Sequence, residues 1–256
     1  MSSLNQTAQV LRQLHKSGKP LVLANVYDVP SARAVAKLPS AKALATASYA
    51  IAQANNTTDD DLDLETNLRH GELIAAVARE FKKPLSVDIQ DGYGDQLETA
   101  ISRLIKMGVS GINLEDYDNT TKALMDKDVA VDRIKRAMAV AKKEGVPEFA
   151  LNARCDGFLH GQDLNEVVSR GKAYLEAGAN TVFVWGASRG VSRDEVKTLV
   201  EEFDGRLNVL LKFADDGLSI AQLADLGVAR ISIGPTLQIR AMEYLGKQAD
   251  ELLSQA

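Results

Sequence analysis

Short apolar runs recur eight times along the chain and alternate with segments of helical spacing. Most runs are continuously apolar over four or five residues, which is typical of strands covered on both faces. Their regular alternation with helices predicts parallel strands joined by right-handed crossovers, and favours an α/β fold, a single (β/α)8 TIM barrel over residues 1–256. We predict strands over residues 21–28, 42–48, 84–90, 111–116, 148–154, 181–186, 207–212 and 229–234.

The segments between the strands carry helix signals, and the polar N-terminal stretch predicts an additional amphipathic helix. Residues 55–67, rich in aspartate, are predicted as a loop after the second strand. The helices are expected over residues 97–108, 132–145, 164–178, 192–203 and 219–227. Residues suited to N-cap helices are Asp163, Ser192 and Ser219, and left-handed residues are expected at Gly108, Gly145, Gly178 and Gly227.

The sequence gives less support to one other architecture and to one other kind of binding site in the same barrel. A doubly wound open sheet that binds a dinucleotide needs a glycine-rich first turn, and ANVYDVPSAR has no glycine. A barrel that binds phosphate after its seventh and eighth strands needs a glycine-rich anion site. ISIGPTL has one glycine there and FADDGL adds two aspartates. The closed barrel without a nicotinamide cofactor is therefore favoured.

The charge and cysteine content exclude several classes of function. The net charge is −5 and no Lys/Arg cluster is present, so we expect no nucleic-acid partner. The only cysteine, Cys155, excludes an internal disulfide and fits a reducing, cytoplasmic setting. No apolar run is long enough to cross a membrane, so we expect no membrane partner.

Charged residues end three otherwise apolar strands, where a barrel of this kind builds its active site. Asp88, Glu115 and Arg154 belong to the third, fourth and fifth strands. Buried charges are costly unless they are paired or bind an ion, and two neighbouring carboxylates favour a hard divalent cation such as Mg²⁺ or Mn²⁺. Arg154 is suited to a two-pronged contact with a carboxylate or phosphonate. A structural ion-pair network at the barrel mouth is the alternative.

Further polar residues follow the same strand ends. We hypothesise that an aspartate among residues 59–61 faces the barrel mouth. Cys155 is interpreted as a small buried apolar residue rather than a nucleophile, since no neighbour in sequence offers a general base. Candidate binding or acid–base residues are Tyr27, Ser48, Tyr49, Gln90, Tyr117 and His160.

The run VDIQDGYGD resembles the DADTGYG segment of the isocitrate lyase and phosphoenolpyruvate mutase superfamily. GINLED and LNARCDGF follow at family-like spacing, and NVYDVPSAR, ATASYAIA, YLEAGANTVFVWG and LADLGVARISIGP are also similar. The resemblance spans about residues 20–240. It implies a Mg²⁺-dependent barrel that acts on α-oxo or hydroxy carboxylates, in which the metal polarises an oxo acid or an enolate formed by C–C or P–C cleavage.

The resemblance also implies roles for individual residues. Asp88 would bind the metal directly, Glu115 would hold it through water, and Arg154 would bind the substrate. Gln90 stands where the family has a second aspartate near the metal, which removes a charge. Ser48 and Tyr49 would take the place of the family's carboxylate-binding pair.

Departures from the family pattern leave the reaction open. EDYDNTTKALMD lacks the catalytic cysteine loop of the lyases, Tyr117 replaces the lysine of the mutases and hydrolases, and Trp185 replaces a mutase histidine. The chain is therefore most similar to the short-loop, mutase-like subgroup.

We predict a metal-dependent lyase or hydrolase of a small oxo or 2-hydroxy acid, such as oxaloacetate or a substituted malate. Tyr49, Tyr117, His160 or a residue of the 55–67 loop would be its acid or base. The alternative is a barrel that binds oxo acids without catalysis, as a sensor or relic. The resemblance also implies a homo-oligomer, a dimer or tetramer, to which the helix near residues 236–255 could contribute.

Overall fold

Nine short strands form one parallel sheet in a computed structural model of the chain, which describes residues 3–255. The strands are β1 (Leu21–Leu23), β2 (Asn25–Val26), β3 (Leu44–Thr46), β4 (Leu85–Asp88), β5 (Gly111–Glu115), β8 (Ala150–Cys155), β9 (Thr181–Val184), β10 (Leu207–Leu210) and β11 (Arg230–Ser232). Two further strands, β6 (Tyr117–Asp118) and β7 (Ala123–Leu124), form a separate antiparallel hairpin.

The sheet closes through its first strand. β1 pairs with β11, while β2 pairs with β3, and only Ala24 separates β1 from β2. The two short strands are thus halves of one barrel strand that bond to opposite neighbours. The predicted (β/α)8 barrel is confirmed.

The helices cover the outside of the barrel and one of its ends. They are α1 (Ser3–Leu14), α2 (Val29–Ala36), α3 (Ser48–Ala54), α4 (Leu64–Glu80), α5 (Leu97–Met107), α6 (Lys127–Lys143), α7 (Leu164–Glu176), α8 (Arg193–Glu202), α9 (Ile220–Asp225) and α10 (Thr236–Leu253). The predicted N-caps of α7, α8 and α9 each accept a backbone N–H through their side chains. The four glycines predicted at helix ends all have positive φ. Both expectations are confirmed.

Several predicted boundaries are wrong. The second strand ends at Thr46, and Ser48 and Tyr49 lie in the first turn of α3. The 55–67 loop ends earlier than predicted, since Asp63 caps α4 by accepting the N–H of Thr66. α6 begins at Lys127 rather than at residue 132. For α4 and α6, a polar stretch that resembles a loop includes the first turn of the helix.

The barrel interior is mostly apolar at the end where its strands begin, where Arg230 is a buried exception, and polar at the other end. α1 closes the apolar end, where its Leu11 packs against Leu21, Leu23, Ala43, Ala45 and Ala150. Polar side chains occupy the opposite end, where the strands end. In the described part of the chain, no helix is sufficiently long and apolar to span a membrane.

Candidate active site

Asp88 is held at the end of β4 by hydrogen bonds to both of its carboxylate oxygens. The backbone N–H and the hydroxyl of Ser48 each donate to Oδ2 at 3.0 Å, and the Asn113 amide donates to Oδ1 at 3.0 Å. The backbone is fixed as well, because Thr46 Oγ1 accepts the Asp88 N–H and the Asn67 amide donates to its carbonyl. These contacts fix the position and orientation of the carboxylate.

A chain of hydrogen bonds crosses three strands and ends on Asp88. Thr181 on β9 donates to Asn152 at 2.6 Å, Asn152 on β8 donates to Asn113 at 2.7 Å, and Asn113 on β5 donates to Asp88. All three donors are buried. The chain therefore fixes the orientation of the Asn113 amide, so that its NH₂ group faces the carboxylate.

Arg154, at the end of β8, is clamped between two acidic side chains and an aromatic ring. Its Nε and Nη2 donate to the two carboxylate oxygens of Asp156, each at 2.7 Å, and its Nη1 lies 2.7 Å from Glu115 Oε2. Its guanidinium carbon lies 4.1 Å from the centroid of the Trp185 ring. Glu115 is buried, and burial raises its pKa while Arg154 opposes that shift. The arginine is rigid and keeps some donor capacity toward the cavity.

A central cavity of about 130 Å³ opens beside these residues. Its charged lining residues are Asp59, Asp88, Arg154 and Arg230. Benzene binds in an engineered cavity of on the order of 150 Å³. The space therefore suits a small molecule.

The acidic loop supplies one aspartate to this cavity, as hypothesised. Asp59 lines it, whereas Asp60 pairs with Lys122 at 2.9 Å and Asp61 accepts a hydrogen bond from Thr58. Burial, and then the negative charge of Asp88, raise the pKa of Asp59 to about 6. A positive charge near this pair of carboxylates would relieve their repulsion.

The remaining predicted residues divide between the cavity and its surroundings. Ser48 and Tyr49 line the cavity, but both donors of Ser48 already bind Asp88. Gln90, at φ 52°, directs its amide to Asp59 and lies outside the lining. Glu115 stands behind Arg154 rather than in the lining, and Tyr27 packs against Ile51 and Leu62.

Three other candidates lie apart from the cavity lining. His160 and Tyr117 stack on each other with ring centroids 5.0 Å apart. Cys155 is fully buried, and burial raises its pKa, as expected for an inert thiol.

Three groups of residues at the site were not predicted from the sequence. Asn113 and Asn152 form one group and Arg230 another, although each is a polar residue within an apolar strand, at the period-two spacing of the inner barrel face. Trp185 was expected only as a departure from the family, and its stacking on Arg154 was not predicted. A polar residue inside an apolar strand is the signal that could have found the first two groups.

A divalent cation fits the chemistry of these donors. Within residues 3–255, no three acidic, histidine or cysteine side chains gather into a protein cage for a metal. The donors at the cavity are nevertheless carboxylate oxygens, the type that Mg²⁺ and Mn²⁺ prefer, and Mg²⁺ commonly takes one or two protein carboxylates and completes its shell with water and substrate. The site has four carboxyl groups and two guanidinium groups, so it carries an excess of negative charge when all are ionised. They belong to Asp59, Asp88, Glu115, Asp156, Arg154 and Arg230.

The fold and this site place the protein among (β/α)8 barrels that have a carboxylate-rich centre at the carboxyl ends of their strands. The model of the family described as phosphoenolpyruvate phosphomutase matches residues 11–253. The chain belongs to this family. The resemblance predicted from its motifs, to the wider phosphoenolpyruvate mutase and isocitrate lyase superfamily, is confirmed.

Relatives and one solved structure support the same assignment. An uncharacterised protein of Mycobacterium tuberculosis is 34% identical over 223 residues, which cover 86% of this chain and 80% of that protein. A solved structure from Burkholderia cenocepacia J2315, provisionally described as a phosphonomutase, has a TM-score of 0.88 at 34% identity, covering 97% of this chain and 99% of that one.

Enzymes are among the relatives. The phosphonopyruvate hydrolase of Variovorax sp. is 29% identical over 204 residues, covering 76% of this chain and 67% of that enzyme. The 2,3-dimethylmalate lyase of Eubacterium barkeri is 26% identical over 246 residues, covering 91% and 81%. The prediction that the chain is an enzyme of this superfamily of lyases, mutases and hydrolases is confirmed.

Proposed function

We propose that the protein is a divalent-metal-dependent lyase or hydrolase of a small α-oxo or 2-hydroxy carboxylate. Oxaloacetate and substituted malates are the leading substrates. The observation that carries this proposal is the Asp88 carboxylate, fixed by three hydrogen bonds at the cavity that Arg154 also lines. An anionic substrate and a divalent cation would together occupy a site that has both carboxylate and guanidinium groups.

Asp88 would bind Mg²⁺ or Mn²⁺ directly, and Asp59 and Glu115 lie near enough to act on it through their charge. Gln90 bonds to Asp59 and so would support the metal through that loop. The cation would polarise the substrate's oxo group and stabilise negative charge that develops beside its carboxylate. The excess negative charge of the protein groups gives a reason why an anionic substrate needs this cation.

Arg154 would orient the substrate by donating to its carboxylate. Its planar group is held against Trp185 and by Asp156, so little conformational entropy is lost when the substrate binds. Among the proton-transfer candidates, Tyr49 and Asp59 line the cavity, whereas Tyr117 and His160 do not. We therefore assign proton transfer to Tyr49 or Asp59. The variants Tyr49→Phe and Asp59→Asn distinguish the two, because turnover should be lost when the residue that transfers the proton is replaced.

A substrate panel tests the proposal. Oxaloacetate, phosphonopyruvate and substituted malates are incubated with the enzyme in Mg²⁺, in Mn²⁺ and in a chelator, with Asp88→Ala as the control. We expect metal-dependent turnover of at least one compound, reduced at least 100-fold in the control, a size typical of the loss of one preorganised electrostatic group. Turnover equal to that of the control for every compound contradicts catalysis. If oxalate then still binds in a metal-dependent way, the sensor alternative holds.

The homo-oligomer is also proposed here, on the basis of α10. This helix exposes a series of large apolar side chains that a monomer would leave in water. They are Leu237, Ile239, Met242, Tyr244, Leu245, Leu252 and Leu253.

A further inference from the structure

Arg230 differs from the other arginines of the interior in its partners. Arg154 and Arg170 pair with carboxylates, and Arg133 donates to backbone carbonyls. For Arg230, residues 3–255 provide neither an ion pair nor a hydrogen bond to the side chain. Its Nε atom is buried and unpartnered within that range. A buried, incompletely satisfied guanidinium is costly, so it requires a physical explanation.

The fold places this arginine in the floor of the central cavity. Arg230 is the first residue of β11, where it pairs with Leu21 on β1 and Asn208 on β10. It is only 4% exposed, and its side chain lines the cavity together with Asp88 and Arg154. Its remaining donors can therefore be reached by a molecule in the cavity, but not from the bulk solvent around the barrel.

No neighbouring group neutralises Arg230 at close range in the described chain. Asp88 is near enough to raise its pKa, yet the Asp88 carboxylate takes its hydrogen bonds from Ser48 and Asn113. His15, also close, is another basic group and provides no negative charge. Burial lowers the pKa of Arg230 to about 10, so it is still a cation at neutral pH.

We infer that Arg230 binds a second anionic group of the substrate, a carboxylate or a phosphonate, at the floor of the cavity. This inference rests on the proposed function, in which Asp88 with its metal and Arg154 hold the oxo-acid end. The substrate would then be a compact dianion that enters with its second anionic group first. Arg230 would select it over the matching monoanion, because only the dianion satisfies the buried guanidinium.

Two matched pairs of ligands test this selection. Malate and lactate differ by one carboxylate, and phosphonopyruvate and pyruvate differ by one phosphonate. Dissociation constants are measured by calorimetry in Mg²⁺ for the wild type, Arg230→Met, Arg230→Lys and a control, Arg206→Met, which removes an exposed arginine. Oxalate, whose two adjacent carboxylates we expect to chelate the metal beside Arg154 without reaching Arg230, reports whether the rest of the site is intact.

We expect the wild type and the Arg206→Met control to prefer at least one dianion over its monoanion by on the order of 10- to 100-fold, the range for hydrogen bonds to a charged group. Arg230→Met should lose that preference while its affinity for oxalate stays within about threefold, and Arg230→Lys should keep part of it. If Arg230→Met loses the preference for malate over lactate, the second anionic group is a carboxylate. If it loses the preference for phosphonopyruvate over pyruvate, that group is a phosphonate.

An equal dianion preference in Arg230→Met and the wild type overturns the inference, as does a wild type with no preference in either pair. If Arg230→Met does not fold, the wild type and Arg230→Lys decide the question, because the lysine keeps the charge but not the planar geometry. Failure of the wild type to bind oxalate in Mg²⁺ contradicts the proposed function instead. The dianion preference is measured independently of that result.

Discussion

At the scale of single residues, Asp88 depends on its neighbours more than on its own place in the chain. Ser48 from α3 and Asn113 from β5 supply the donors that orient its carboxylate, and Thr181 and Asn152 orient Asn113 in turn. Such supporting residues commonly change metal affinity by 10- to 100-fold when they are removed.

Asn113→Ala is therefore expected to weaken Mn²⁺ binding by about 10- to 100-fold, because Asp88 Oδ1 loses its only side-chain donor among the described residues. Calorimetric titration with MnCl₂ measures the change. Asn208→Ala is the matched control, since Asn208 is also buried but donates to Ser232. An equal loss of Mn²⁺ affinity in both variants would show that the effect is only structural.

His15 makes stability depend on pH. Its ring nitrogens are buried, and burial together with the positive charge of Arg230 lowers its pKa from 6.5 to about 3. The unfolded chain therefore takes up a proton below about pH 6.5 that the folded chain does not take up until about pH 3. The contribution to stability is present above pH 6.5 and is lost as the pH falls, by about 1.4 kcal/mol per pH unit.

Urea unfolding at pH 7 and pH 5 measures this slope. His15→Gln should reduce it, while His160→Gln, at an exposed position, should leave it unchanged. Identical slopes for the wild type and His15→Gln would contradict the assignment.

At the scale of elements, apolar periodicity and capping signals were sufficient to place the eight barrel strands and the later helices. Of the two helices that follow β3, α3 was missed because it has only seven residues, and the start of α4 was misplaced because it lies inside the aspartate-rich stretch. Asp88 and Arg154 could be placed at the cavity because each ends a buried strand. The contacts of Arg154 with Glu115 and Trp185, and the unpartnered state of Arg230, depend on side-chain packing across strands, which local sequence patterns do not reveal.

Gly171 shows how closely α7 packs on the structure beside it. A Cβ at this position would lie 2.2 Å from Cζ of Phe203, which follows α8. Gly171→Ala should therefore lower the free energy of unfolding by about 1–3 kcal/mol through overpacking. Gly246→Ala, on the exposed surface of α10 with nothing within 4 Å, should raise it by about 1 kcal/mol through helix propensity. Thermal or urea denaturation compares the two, and a stabilised Gly171→Ala would contradict this packing.

At the scale of the whole molecule, the barrel closes its apolar end with α1 and leaves an apolar surface on α10. Tyr244 and Leu245 are 66% and 59% exposed on that helix. If α10 forms the contact between copies, light scattering should show a dimer or tetramer at micromolar concentration. The double variant Tyr244→Glu and Leu245→Glu should shift it toward the monomer, whereas Lys247→Glu should not. A monomeric wild type would contradict the proposed assembly.

In the proposed site, Asp88 holds a divalent metal to which a small oxo acid binds beside Arg154. A crystal structure with Mn²⁺ and oxalate, in which anomalous scattering locates the metal, tests this arrangement. We predict a manganese peak at about 2.0–2.2 Å from an Asp88 carboxylate oxygen, with oxalate bound to both the metal and Arg154. A manganese peak elsewhere, or oxalate bound in the cavity without metal at Asp88, would contradict the account.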